Sequence, residues 1–120
     1  MSESDLPVLD PAPLQELLDM GAEASLVQEL VLLFQEDVPP RLVRLAASYA
    51  NGDGSGILVE AHQLKGATGN LGLMRFSDLA GRIETLVRQQ QLEAVGPLVQ
   101  SLQGVYTEGL EALLRAFPPG

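Results

Sequence analysis

Apolar residues recur at spacings of three and four along almost the whole chain, interrupted by glycine, proline or polar clusters. That period matches the turn of an α-helix, and no stretch alternates with the period of two that a half-buried strand requires. The pattern therefore predicts an all-α protein. At 120 residues the chain is expected to form one domain with a core of its own.

The segments follow one another with short punctuation. Residues 1–9 read as an N-terminal tail, with Pro7 opposing early helix. Asp10-Pro11 is a candidate helix start, since aspartate caps free amides and proline suits the first turn. A short helix then carries Leu14, Leu17 and Leu18 and stops at Gly21. A second helical stretch opens at Ser25-Leu26-Val27-Gln28, which resembles a capping box. It presents Leu26, Val27, Leu30, Val31, Leu33 and Phe34 as a wide apolar face. Pro39-Pro40 predicts a kink there, or two helices in near succession, because proline removes an amide donor and crowds the preceding turn. The period resumes through Leu42, Leu45, Ala46 and Tyr49 as far as the turn Asn51-Gly52-Asp53-Gly54. A third helix is expected over Ser55 to Asn70, with Gly72 as its cap, and a fourth over Met74 to Gln90. The last helix is expected from Glu93 to Ala116, Gly96-Pro97 delaying its start. Four substantial helices joined by short turns predict an antiparallel four-helix bundle with a short additional N-terminal helix. Its domain would span 10–117, leaving 118–120 as a C-terminal tail.

Composition removes several classes of function. There is no cysteine, hence no disulfide framework and no thiolate chemistry. Seven Lys and Arg against sixteen Asp and Glu give a net charge of −9, the wrong footprint for nucleic acid or an anionic membrane. No apolar run approaches the roughly 20 residues of a membrane span. The acidic start Met1-Ser2-Glu3-Ser4-Asp5 is unlike a secretory signal, so a cytoplasmic chain is expected. One histidine supplies no ligand set for zinc, and no metal site is expected. No glycine-rich nucleotide-binding motif is present, and the length leaves no room for a catalytic ATP domain.

The single histidine, His62, stands out by its neighbourhood. With roughly 100° per residue, Ile57, Ala61, Leu64, Thr68 and Leu71 share one arc of the third helix, and His62 lies roughly 140° from its middle. Lys65 and Gly66 are one turn on, and Gly69 is two turns on. Glycine inside a helix costs about 1 kcal/mol against alanine, so Gly66 and Gly69 bring no local gain. They do let another surface approach the backbone. Leu58 and Val59 add apolar area beside the ring. Together these residues describe a docking surface with a nucleophile at its centre. A neutral imidazole has one ring nitrogen free to attack, and Lys65 would attract an incoming phosphoryl group.

The run Ala61-His62-Gln63-Leu64-Lys65-Gly66-Ala67-Thr68-Gly69-Asn70-Leu71-Gly72 resembles the signature of histidine-containing phosphotransfer (HPt) domains, whose core is H-x-L-K-G. The likeness extends over roughly Leu9 to Phe117, including Glu29-Leu30, Phe34, Leu79 to Glu84 and a closing Leu-rich helix. It implies a phosphoryl carrier in a two-component phosphorelay, with His62 as phosphoacceptor and Lys65 at the phosphoryl oxygens. Gly66 would leave room for the partner, and Glu84 falls where the family places a residue that orients the histidine. The implied partners are receiver domains of response regulators and hybrid sensor kinases, with Mg²⁺ on the receiver and no cofactor on this chain. A monomer without kinase activity is expected. The alternative is a helical adaptor that binds or sequesters a receiver or sensor kinase without transfer.

Overall fold

The computed structural model describes residues 5–119 and places five α-helices in them, with no strand among the described residues. They are α1 (Ala12–Asp19), α2 (Ala24–Ala50), α3 (Gly54–Asn70), α4 (Met74–Arg88) and α5 (Gly96–Ala116). A 3-10 turn at Leu92–Ala94 precedes α5, which begins at Gly96, in keeping with the delayed start expected from Gly96-Pro97. Helix α2 packs on α3 and α5, and α4 packs on the same two, so the long helices close a four-sided bundle. Short turns make sequential neighbours antiparallel, and α1 closes one end by burying Leu14.

The core is aliphatic with one aromatic cluster. Val27, Val31, Phe34, Val38, Leu42 and Leu45 of α2 meet Ile57, Ala61 and Leu64 of α3, Phe76, Leu79 and Ile83 of α4, and Leu102 and Leu113 of α5. Phe34 meets Phe76 edge-on and stacks on Tyr106, joining three helices at one point.

Helix α2 departs from expectation three times. It runs unbroken through Pro39 and Pro40. The two missing amides leave the carbonyls of Gln35 and Glu36 without helical donors, but Val38 and Leu42 are buried on either side and anchor both halves in the core. The capping box does not form: the helix starts one residue earlier, after Glu23, and Ser25 Oγ turns back to the Glu23 carboxylate. The expected apolar face also splits. Val27, Val31 and Phe34 are buried, whereas Leu26 and Leu33 stay 40% and 50% exposed, because the stripe is wider than the bundle can cover.

The two ends are placed differently. Residues 1–4 and Gly120 lie outside the described residues, and Pro118 and Pro119 are exposed. Residues 6–10, however, are tied to the start of α4. Met74 N donates to Val8 O, Asp10 N donates to Gly72 O, and Arg75 Nε donates to Leu6 O. The strap's carbonyls supply acceptors for amides that a helix start leaves unpaired. The N-cap of α1 is Pro11 and not the expected Asp10, which stands one residue before it with its Oδ1 accepting from Ala12 N at 3.0 Å.

The end of α4 is also adjusted. It stops at Arg88 and not at Gln90, with Gln90 in the left-handed region at φ 59°.

Candidate functional site

Helix α3 is fixed at both ends. At its start Asp53 Oδ1 accepts from Gly56 N at 3.0 Å and from Ser55 Oγ at 2.9 Å. At its end Gly72 takes φ 81°, Leu73 N donates to Thr68 O at 2.9 Å, and Gly72 N donates to Gly69 O at 3.1 Å. This double closure satisfies carbonyls that would otherwise be left without donors. Between the ends, Ile57, Ala61, Leu64, Thr68 and Leu71 are all buried, as their shared arc required. Thr68 satisfies its hydroxyl by donating to Leu64 O at 2.7 Å.

His62 therefore points outward, with 65% of its side chain exposed. Its Nδ1 lies 2.9 Å from Oε2 of Glu84, which α4 brings across from 22 residues away. Glu84 is nearly buried, at 6% exposure. Burial alone pushes its carboxyl pKa up. Hydrogen bonds from His62 and Arg88, together with the Lys65 charge, outweigh that and hold it below the usual carboxylate range. An ionised carboxylate can only accept, so Nδ1 carries the proton. The ring's other nitrogen, Nε2, then holds the lone pair on the edge turned away from Glu84.

Two cations share that carboxylate. Lys65 Nζ stands 3.5 Å from Oε1 and Arg88 Nη2 stands 3.1 Å from Oε2, both on exposed side chains. The Lys65 stem crosses α4 at Gly81, where a Cβ would sit 3.6 Å from Lys65 Cδ. Sequence reasoning did not single out Arg88. Its i,i+4 spacing from Glu84 was the available signal, but it acquires meaning only once Glu84 is known to face the histidine.

The expected docking residues fall into distinct settings. A Cβ on Gly66 would meet nothing within 4 Å, so that position is open backbone beside the ring. Gly69 is exposed, but a Cβ there would meet Ser77 Oγ of α4 at 3.3 Å, so its small size also serves helix packing. Val59 is 58% exposed, while Leu58 is half-buried. Both line a shallow hollow with His62, Gln63 and Arg88.

A second carboxylate braces the opposite flank of α3. Glu60 accepts from Arg41 Nη1 at 2.9 Å and from Arg44 Nε at 3.0 Å, joining α3 to α2 just beyond the proline pair. Desolvation raises the Glu60 pKa, and the two arginines more than reverse it, leaving the carboxyl below its ordinary value. Among the described residues, no group of three or more His, Cys, Asp or Glu is placed to hold a metal ion.

A family model for the Hpt domain matches residues 29–116, which include α3, α4 and every residue of this site. The chain belongs to the Hpt domain family. Domains of this family are phosphocarriers that work through histidine in phosphorelays and interact with receiver domains. Comparisons with curated proteins and with solved structures gave no match. No helix among the described residues is long and apolar enough to cross a membrane.

Proposed function

We propose that His62 accepts a phosphoryl group from the phospho-aspartate of one receiver domain and passes it to another. The observation that carries this reading is the 2.9 Å contact between Nδ1 of a largely exposed His62 and the ionised Glu84. It leaves Nε2 as the nucleophile. The Nε2 lone pair attacks phosphorus and forms the N–P bond. The P–O bond to the aspartate breaks, and its electron pair leaves with the carboxylate. The Nδ1 proton stays in place, and the positive charge that develops on the ring is met by Glu84. Lys65 and Arg88 are placed to meet the phosphoryl oxygens, and Gly66 admits the partner's surface.

The chain lacks ATP-binding machinery and acts as nucleophile and carrier. The receiver supplies Mg²⁺ and the remaining catalytic groups. The carrier works as a monomer in the cytoplasm, with receivers of response regulators and hybrid sensor kinases.

Incubation with a phosphorylated receiver tests the proposal. Wild type should gain an acid-labile, alkali-stable label, and His62→Gln should gain none. Lys65→Ala should slow transfer by about tenfold, the scale of a lost charge-assisted contact. Gly66→Leu should impair transfer with helix content intact, since its side chain enters open space. Equal labelling of wild type and His62→Gln sinks the proposal. Retained receiver binding without transfer by wild type would instead support the adaptor alternative.

A further inference from the structure

Two nearly buried carboxylates, one on each flank of α3, each hold two cations. Glu60 and Glu84 have side-chain exposures of 12% and 8%, whereas Arg41, Arg44, Lys65 and Arg88 range from 30% to 60%. Each cluster thus carries one surplus positive charge, presented on the exposed side. The hollow containing His62, Gln63 and Arg88 adjoins a second that contains Gln63, Ala67, Arg41 and the exposed Asp37. The two clusters consequently belong to one surface with His62 between them. Outside it, thirteen acidic residues stand against three basic ones, a formal charge of −10.

We infer that this cationic island is an electrostatic docking surface that selects receivers whose face is acidic around the phospho-aspartate. The inference rests on the phosphoryl-carrier reading and adds the kind of partner. A phosphorylated receiver brings negative charge toward a molecule that is itself strongly negative, and the far field repels it. At physiological ionic strength fields fade over about 8 Å, so an approaching face responds to the nearest charges. Those are the four exposed or half-buried cations, with Asp37 the exposed carboxylate among them. An acidic rim oriented on them gains encounter rate, while a basic or neutral rim does not. Burying the two anchors matters because an exposed glutamate would present its own charge beside each arginine.

The test separates this inference from the reading beneath it. Phosphoramidate, a small phosphoryl donor that requires no protein docking, is used to load His62. The second-order rate of transfer to the fastest-accepting receiver is then followed from about 25 to about 500 mM NaCl. Wild type should slow by about tenfold across that range. Arg41→Gln/Arg44→Gln should transfer about three- to tenfold more slowly at low salt, with most of the salt dependence lost. Its rate at saturating receiver should match wild type. Arg41→Lys/Arg44→Lys, which keeps the charge, should keep the salt dependence, and it decides the matter if the glutamine pair does not fold. Normal loading followed by transfer that is independent of salt, or accelerated by it, overturns this inference alone. Failure of His62 to load overturns the phosphoryl-carrier reading and this inference with it.

Discussion

At the scale of single residues, the site depends on one carboxylate serving three partners. Glu84 receives the Nδ1 proton of His62 on Oε2, where Arg88 also binds, and faces Lys65 with Oε1. Its hydrogen bond to the ring fixes the tautomer, and in the proposed transfer its charge would meet the imidazolium character that phosphorylation creates. A hydrogen bond to a charged group contributes about 1.5–3 kcal/mol. Glu84→Ala should therefore slow transfer about 10- to 100-fold in rapid-quench measurements. Glu84→Gln can still accept the Nδ1 proton and should lose less. Equal rates in the two variants would refute the orienting role. His62, Lys65 and Gly66 were legible as a group because they are helix neighbours and local geometry places them together. Arg88 was not, because its role depends on which way Glu84 faces.

At the scale of elements, α2 and the α3–α4 turn show opposite uses of special residues. Proline in a helix interior costs about 3 kcal/mol relative to alanine, partly offset by the reduced freedom it gives the unfolded chain. Pro40 is exposed inside a continuous α2, so Pro40→Ala should stabilise the protein by about 2 kcal/mol in denaturant titration. Gly72 is the reverse case. Its φ of 81° disfavours any side chain, and a Cβ there would collide with the Asp10 carbonyl. Gly72→Ala should destabilise by about 2 kcal/mol or more. It should also loosen the 6–10 strap, because Asp10 N donates to the Gly72 carbonyl. A kinked helix, or two helices in near succession, was expected at the prolines because the sequence displays the lost amides. It does not display that Val38 and Leu42, on either side of the prolines, are both buried in the core.

At the scale of the whole molecule, the two glutamates that shape the site also tie the bundle together. Glu60 links α3 to α2, and Glu84 links α4 to α3. Both carboxyls are held below their ordinary pKa in the folded state. Each therefore binds a proton more readily when unfolded. The stabilisation is fully present above the ordinary glutamate value of about 4.3, and it is lost as pH falls through the lower folded values. The thermal midpoint should drop when pH is lowered below about 4.3. The drop should be shallower in Glu60→Gln/Glu84→Gln. An equally steep loss in that variant would place the acid sensitivity elsewhere.

The sequence by itself determined the helices, the buried arc of α3 and the outward direction of His62. Each of these follows from backbone geometry that residues of one helix share, so a local period is enough to read them. Tertiary structure alone decided which half of the wide α2 stripe is buried, and it left Leu26 and Leu33 outside. It also carried α2 through two prolines, bound residues 6–10 to α4, and set Arg41 and Arg44 on Glu60. The resemblance pointed to Glu84, but its 2.9 Å approach to His62, 22 residues away, required α3 and α4 to settle side by side. That register is fixed by the packing of all four long helices at once, and no single stretch of sequence contains it.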